Sequence, residues 1–533
     1  MTLPTEFQDT LNNLNILYDR EYKHENSDNF KIFREFAEKQ YKLAYNNSNN
    51  NDNKKLIESI IKPHLNKYIK ENKIQIPKGI LPDDKIGFLT DINVQMSNQQ
   101  RKMEMRRDKN VKSFTLLSDD YIYKYNQEIQ ENIPRGLTMC EIMNANDNTI
   151  DFQDICIYGN KKFTGFSNQD EDVNINSDGN VIDEIPYFIQ DPELNKEKII
   201  VFMMKINGEA LHFSGRYIYD KFYLFIGSKK NHIMISKEKD IDLYTDERYT
   251  NAKKFAKIFM TALKSLPQTN LKYLYNLLHY TKVTAVCEIL QPSYQHVVYI
   301  PEYDGDHIVF LCFAPFYNGE KNNNSLTAFP PQISGNIMHL LGITCASSRI
   351  HRFSKETNEK EEPEFKESRK IINCEGFVLY YLNEKNETIG LVKLKTIWYI
   401  CLRALREKMV WYLSEMKKPN KKNDEDFLKS INKRYDEIQK WLTLKIHEIE
   451  AWKYLAKQFM KFLKKYQDKE GRFIQPFELR SKFPIFWLRF ITWTKGEEVR
   501  EDEAAAAAIA VVVGEEEEED ERCHLFKIMS HMF

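Results

Sequence analysis

The spacing of apolar residues changes character twice along the chain, and this change constrains the fold more than any other feature. Up to about residue 125 the pattern is mostly helical, as in FKIFREFAEKQYKLAY. From about 126 to 396 short runs rich in β-branched and aromatic residues follow one another, among them KIIVFMMK, RYIYDKFYLFIG, TAVCEIL, HVVYI and GFVLYYL. From about 397 to 495 the helical spacing returns, as in IWYICLRALREKMVWYL. These patterns predict an α+β domain of mainly antiparallel sheets between a helical N-terminal region and an all-helical C-terminal domain.

The charge is unevenly distributed, although the formal net charge of the whole chain is only -1. Residues 401–495 contain 23 Lys and Arg but 12 Asp and Glu, a net of +11. Residues 496–533 carry a net of -9 and include an alanine run and a run of glutamates, which predicts a disordered acidic tail. The basic region favours a polyanionic partner, and a solvated lysine-rich helical surface is the alternative that charge alone leaves open.

The cysteines and the hydropathy bear on the compartment. None of the eight cysteines forms a CxxC pair, and several lie in apolar runs, which predicts a reducing compartment without a structural zinc. The N-terminus lacks the features of a secretory signal. The longest uncharged apolar run, AAAAAIAVVV, is too short to cross a bilayer. We therefore expect an intracellular, soluble protein, cytoplasmic or nuclear, with no membrane partner.

Three fragments of the β-rich region have residues suited to phosphate chemistry. VFMMKING delivers Lys205 at the end of an apolar strand and before a glycine turn. CEGFV puts Glu375 before a glycine that opens another strand, and VKLK would point Lys393 and Lys395 to one face of a third. A lysine is nucleophilic only when neutral, so we expect nearby cations and partial desolvation to lower the pKa of Lys205. Each fragment alone is common, and their order is the informative feature.

In that order the fragments resemble the motifs of the covalent nucleotidyltransferases, which comprise polynucleotide ligases and RNA capping enzymes. Within them the chain is most similar to the phage tRNA-repair RNA ligase family, often called RNA ligase 1. The resemblance covers about residues 130–400 and implies a ligase-type nucleotidyltransferase domain. The helical pattern after Lys395 is typical of the tRNA-repair ligases, whereas DNA ligases and capping enzymes usually continue into a small β-barrel.

The resemblance also implies roles for individual residues. Lys205 in KING would take AMP, Glu375 would hold the metal, and Lys393 and Lys395 would face the α-phosphate. The remaining candidates would bind ATP: Arg135 and Lys162 on the outer phosphates, Asn207, Gly208 and Glu209 beside the nucleophile, Ser228 and Lys229 in the next motif, Glu288 on the ribose, and Val378 under the adenine.

The implied activity is that of an ATP-dependent RNA ligase with Mg²⁺ as cofactor. AMP would pass from ATP to Lys205, then to an RNA 5′-phosphate, and a 3′-hydroxyl would finally displace it, in tRNA or RNA repair. The basic helical domain, 397–495, would bind RNA through phosphate contacts. The role of residues 1–125 stays open.

Two alternatives stay open beside this interpretation. One is a GTP-using, capping-type nucleotidyltransferase, which labelled GTP and ATP would distinguish. The other is a non-catalytic RNA-binding relative, which is motivated by Asn207, because the family commonly has Asp there, and by inserts between the motifs. No GxxxxGK[ST] phosphate loop is present, so the sequence shows no P-loop kinase module.

Overall fold

The architecture is taken from a computed structural model. The structure describes residues 2–23, 28–45, 49–96, 119, 122–123, 126–163, 165, 198–315, 328–353, 363–416, 423–466 and 473–494. The predicted acidic tail, 496–533, lies outside the described residues.

Thirteen strands are found in these segments. They are β1 (Ile69–Gln75), β2 (Lys85–Val94), β3 (Leu137–Asn144), β4 (Ile150–Tyr158), β5 (Lys198–Met204), β6 (Glu209–Ile218), β7 (Lys221–Ser228), β8 (His232–Ile235), β9 (Thr284–Leu290), β10 (His307–Ala314), β11 (Ser348–Phe353), β12 (Gly376–Leu382) and β13 (Thr388–Lys395).

Twelve α-helices accompany the strands in the described residues. They are α1 (Thr5–Glu21), α2 (Asp28–Tyr45), α3 (Asn49–His64), α4 (Gln127–Asn132), α5 (Thr250–Lys264), α6 (Gln268–Thr281), α7 (Pro331–Leu340), α8 (Pro363–Lys370), α9 (Ile397–Glu415), α10 (Asp424–Leu442), α11 (Ile446–Lys465) and α12 (Pro476–Thr494).

The strands form three antiparallel sheets, so the fold is mixed α+β with a helical C-terminal region, as the periodicity predicts. Their orders are β1-β2-β3-β4, β10-β9-β6-β7-β8 and β11-β5-β12-β13. The second and third sheets pack face to face, because Val201, Met203 and Val378 of one share a core with Val286 and Cys312 of the other. Helices α5 and α6 cover the outer side of the second sheet, and α1 and α2 pack on α6 in the same core, the largest of the described residues. This packing brings the ends of β5, β6, β9 and β12 together.

The N-terminal region is less helical than its sequence pattern predicts. Strands β1 and β2 lie within residues 1–125, and β2 pairs with β3, so one sheet crosses the predicted boundary at 125. The reason is visible in β1, an edge strand of sequence IKENKIQ whose residues are mostly exposed or half-buried. An edge strand with so few apolar residues gives little strand signal.

Two of the predicted strands differ in the structure. RYIYDKFYLFIG is a hairpin of β6 and β7, with Tyr219 and Asp220 both at positive φ, 52° and 58°. Such a two-residue turn usually has Asn or Gly, so the signal that marks it is missing from the sequence. HVVYI, 296–300, is not a strand, because Val297 and Val298 donate their backbone N–H groups to the Asn207 side chain instead of to a neighbouring strand.

Helices α9 to α12 form a separate apolar core that includes Trp452, Phe459 and Phe490. Helix α12 is kinked at Lys482, whose φ and ψ are -129° and 23°. Pro484 lies two residues later and has no N–H for the carbonyl of Arg480, which explains why the helix breaks here. Among the described residues no helix is both long enough and apolar enough to span a bilayer.

Candidate active site

Lys205 lies directly after β5, at the point where this strand passes the start of β12. Its backbone N–H donates to the Gly376 carbonyl at 2.8 Å, which extends the β5–β12 ladder by one residue. Its ammonium Nζ is 3.0 Å from Glu375 Oε1 and 3.9 Å from Glu288 Oε1. Three residues that are far apart in sequence therefore form one ionic cluster, with the Lys205 side chain 19% exposed.

Glu375 is turned into this cluster by the glycine that follows it. Gly376 has φ +135°, and a Cβ there would lie 2.1 Å from the Leu394 carbonyl oxygen, so no other residue fits without a shift of backbone. The Glu375 carbonyl accepts from Thr396 N–H at 3.1 Å, just beyond β13. The carboxylate is thereby fixed between β5 and β13, and only 5% of the residue is exposed.

Gly208 brings the turn after Lys205 against β9. A Cβ at Gly208 would lie 2.4 Å from the Ile289 carbonyl oxygen, which explains why the KxxG pattern ends in glycine. The close approach lets the Gly208 N–H donate to Glu288 Oε2 at 2.7 Å. Glu288 is therefore oriented by the same turn that carries the lysine.

Asn207 uses both ends of its amide to hold the site together. Its Oδ1 accepts from the N–H groups of Val297 and Val298 at 2.9 and 3.1 Å. Its Nδ2 donates to Glu375 Oε2 at 2.6 Å and lies 3.5 Å from the Tyr399 hydroxyl. An aspartate could not donate to Glu375, so the asparagine is matched to its surroundings.

The charges of the cluster shift its pKa values in opposite directions. Burial and then the neighbouring Glu375 raise the pKa of Glu288 to about 7, although Lys205 opposes the shift. Burial also disfavours ionisation of Glu375, but the charges of Lys205 and Lys395 outweigh it and lower the pKa of Glu375. Glu375 therefore stays ionised, and Glu288 titrates near neutral pH.

The expectation that the pKa of Lys205 is lowered is wrong for this state of the site. Burial does act to lower it, but the negative charges of Glu375 and Glu288 outweigh burial and raise the pKa of Lys205 above its usual value. The nearest charged groups are carboxylates and not the expected cations. Lys205 is therefore an ammonium here.

Lys393 and Lys395 lie on one face of β13, as strand alternation predicts. Val392 and Leu394 point to the opposite face, into a core with Phe377 and Leu379. Lys395 is only 3% exposed and its charge acts on Glu375. Lys393 lies over the Phe163 ring at 5.2 Å and pairs in register with Val378.

Arg135, Lys162 and Lys229 form a second group of cations. Desolvation and then the charge of Arg135 lower the pKa of Lys229, and Lys162 acts in the same direction. Arg135 pairs with Asp119 at 2.9 Å, and Lys162 is 6% exposed. The charge of Lys229 also acts to lower the pKa of Glu288, so this group of cations borders the cluster around Lys205.

The other three candidates contribute less directly. Ser228 ends β7, and its hydroxyl accepts the N–H groups of Lys230 and Asn231 at 3.2 and 3.4 Å, which closes a turn. Glu209 begins β6, where burial raises its pKa against the charges of Lys254 and Lys229. Val378 is buried in the core between the two sheets.

Some residues of the site have no counterpart among the sequence candidates. Tyr399, in α9, contacts Asn207 and acts on the pKa of Lys205. His296 has its pKa lowered by burial and then by Arg406, and Glu375, Lys205 and Arg403 also act on it. Arg403 and Arg406, in RALR, are the sequence signal of these charges near His296. In the sequence alone, however, they look like ordinary exposed helix residues.

Arg406 has an unusual environment for its charge. It is 8% exposed and its Nε and Nη2 bond Glu407, while Nη1 is buried with no hydrogen-bond partner among the described residues. Arg406 therefore has one buried donor whose hydrogen bond is not made by the described residues.

The described residues contain no group of three or more His, Cys, Asp or Glu side chains arranged to hold a metal ion. Glu375 and Glu288 are a pair of carboxylates that share Lys205. No known protein-family model matches the chain, and no curated protein matches it.

Proposed function

We propose that the protein is an ATP-dependent RNA ligase that works through a covalent lysyl-AMP on Lys205. The observation that carries this proposal is the convergence of Lys205, Glu288, Glu375 and Lys395 from four separate segments on one buried ionic cluster. The further cations around this cluster are suited to holding a polyphosphate beside Lys205.

In the first step Lys205 Nζ attacks the α-phosphorus of ATP. A P–N bond forms, the bond from the α-phosphorus to the bridging oxygen breaks, and pyrophosphate leaves with the electron pair. Lys205 must lose a proton first, and Glu288, with a pKa of about 7, is a nearby group able to accept it. Lys393 and Lys395 would stabilise charge on the phosphate oxygens, an effect worth roughly 2–4 kcal/mol per donor in other enzymes.

The outer phosphates would meet the second group of cations. Arg135, Lys162 and Lys229 share one environment next to Glu288, and their mutual repulsion is relieved when an anion binds between them. This would orient the triphosphate so that pyrophosphate leaves toward them.

Mg²⁺ fits the residues of the site as a partner shared with substrate. Glu375 and Glu288 supply two carboxylates, and Mg²⁺ is usually held by one or two carboxylates together with substrate phosphates. Burial is the main cause of the raised pKa of Glu288 and the charge of Glu375 adds to it, so a bound cation would favour the ionised carboxylate. When bound by Glu375, the ion would supply positive charge that competes with Lys205 for the carboxylate and favours the neutral amine.

The RNA would lie between this site and the helical domain. The charges of Arg403 and Arg406 act on the pKa of His296, as do those of Lys205 and Glu375, so cationic groups of α9 border the cluster. In the second step AMP would pass to a 5′-phosphate, and in the third a 3′-hydroxyl would displace it.

Incubation of the purified protein with α-labelled ATP and Mg²⁺ tests the proposal. Label on the wild-type protein, its loss in Lys205→Ala, and its retention in Lys272→Ala, an exposed lysine of α6, are expected. Labelling from GTP instead of ATP would favour a capping-type transferase. RNA binding without label from either nucleotide would favour a non-catalytic relative.

A further inference from the structure

Two large aromatic side chains are left in solvent where α12 begins. Phe473 is 58% exposed and Phe477 is 75% exposed. Phe477 and Arg480 are three residues apart in a helix, so they lie on one side of it, and Arg480 is 53% exposed. We name Phe473, Phe477 and Arg480 the aromatic surface.

One chain of hydrogen bonds joins this surface to the candidate active site. Ser481, one helical turn after Phe477, accepts the N–H of Gln295 through its carbonyl at 2.7 Å. Two and three residues after Gln295, the N–H groups of Val297 and Val298 bond Asn207. The aromatic surface is thus fixed relative to the turn that carries Lys205.

A second chain of contacts runs through charged groups. Arg480 Nη2 is 3.8 Å from Glu407 Oε2, and Glu407 Oε1 accepts from Arg406 at 2.8 Å. The charge of Arg406 lowers the pKa of His296, and the charges of Lys205 and Glu375 also shift this pKa. Cationic groups therefore extend from the cluster to the aromatic surface.

We propose that the aromatic surface stacks the unpaired bases of the nucleic-acid strand whose end is joined at Lys205. Every base has a π-face, so aromatic side chains next to cations bind single strands with little sequence preference. The surrounding region, 401–495, carries a net charge of +11, and this positive charge complements the phosphates of a nucleic-acid strand. This inference rests on the proposed function, because it takes the substrate of that site to be RNA.

The test is binding of a short, 5′-phosphorylated single-stranded RNA containing 2-aminopurine, measured with the full chain at low salt. Stacking quenches 2-aminopurine, so binding to wild type should reduce its fluorescence. Phe477→Ala should weaken binding about tenfold, the loss expected when one stacked base loses its partner, and should reduce the quench. Phe477→Trp should restore both.

Ile446→Ala is the matched control, because Ile446 is 74% exposed in the same domain but begins a different helix. It should bind the RNA as wild type does. Binding by Phe477→Ala that equals wild type would overturn the inference. Labelling of the wild-type protein by ATP is measured in a separate experiment. If ATP does not label the protein but Phe477→Ala still weakens RNA binding, only the proposed function is contradicted.

Discussion

At the scale of single residues, the candidate site depends on which side chains can donate a hydrogen bond and which are ionised. Asn207 donates to Glu375 and accepts from two backbone N–H groups, so its amide satisfies both kinds of partner at once. Glu375 is ionised because Lys205 and Lys395 outweigh its burial. The asparagine side chain is therefore matched to the neighbouring carboxylate.

Asn207→Asp should destabilise the fold, because it places a second carboxylate against the buried Glu375. We expect a loss of about 1–3 kcal/mol in the free energy of unfolding, the cost of an unmade buried hydrogen bond. The loss should shrink from about pH 8 to about pH 5.5, since a protonated carboxyl can again donate. Denaturant unfolding at both pH values measures it, with Asn146→Asp, in an exposed turn, as the control.

Glu288→Gln tests the second carboxylate. The folded-state pKa of about 7 lies above the usual 4.5, so the wild type loses stability as the pH rises from about 4.5 to about 7, the range in which Glu288 is ionised in the unfolded chain and protonated in the folded protein. The glutamine variant should not show this loss and should be the more stable protein at about pH 8, by on the order of 1–3 kcal/mol.

The difference between Glu288→Gln and wild type should close on acidification toward about pH 5. Glu425→Gln, an exposed residue of α10, should follow the wild type at every pH. A constant difference between Glu288→Gln and wild type across this range would contradict the assignment.

At the scale of elements, glycine decides how closely two strands approach. Gly208 and Ile289 lie in neighbouring backbones with no space for a Cβ between them, and this approach makes the bond from Gly208 N–H to Glu288. The contact between the turn after Lys205 and β9 is thus set by backbone and not by side-chain packing.

Gly208→Ala should push the turn away from β9. A Cβ 2.4 Å from a backbone oxygen cannot be relieved by a side-chain rotation, so we expect a loss of about 2 kcal/mol or more in stability. Gly335→Ala is the matched control: its Cβ would meet nothing closer than 3.8 Å, and alanine in helix α7 should be neutral or stabilising by up to about 1 kcal/mol. Thermal unfolding of the two variants compares them directly.

At the scale of the whole molecule, the contacts between the helical domain and the segments around Lys205 include two that reach the candidate site. Tyr399 of α9 reaches Asn207, and the kinked α12 binds Gln295 through Ser481. The second contact depends on the helix being open at Lys482. Both contacts end on the segment or the side chain that orients Glu375 and Lys205.

Pro484→Ala should weaken this docking. Alanine restores an N–H for the Arg480 carbonyl, so the kink should relax and the bond from Gln295 to Ser481 should weaken. Hydrogen–deuterium exchange should then become faster at residues 295–298 while the cores of α10 and α11 stay protected. Pro63→Ala removes a proline from α3 and should leave exchange at 295–298 as in wild type; equal acceleration in both variants would refute the mechanism.

Much of the fold could be predicted from local pattern. The α+β centre, the helix Thr250–Lys264 and the helical C-terminal region all have strong periodicity, and the structure has them. The hairpin at Tyr219 and Asp220 could not be predicted, because its turn residues are not the usual ones. The irregular segment 296–300 could not either, because an amide 90 residues away satisfies its N–H groups.

The sequence by itself determined which residues are candidates for the site: a lysine before a glycine turn, a glutamate before a glycine and two lysines on one strand face, recognised by their order along the chain. Only the tertiary structure decided their charge state. The pKa of Lys205 is raised and not lowered because strand pairing sets Glu375 3.0 Å from it. Electrostatic interactions depend on distance through space and on burial, and neither is encoded in the spacing of residues along a chain.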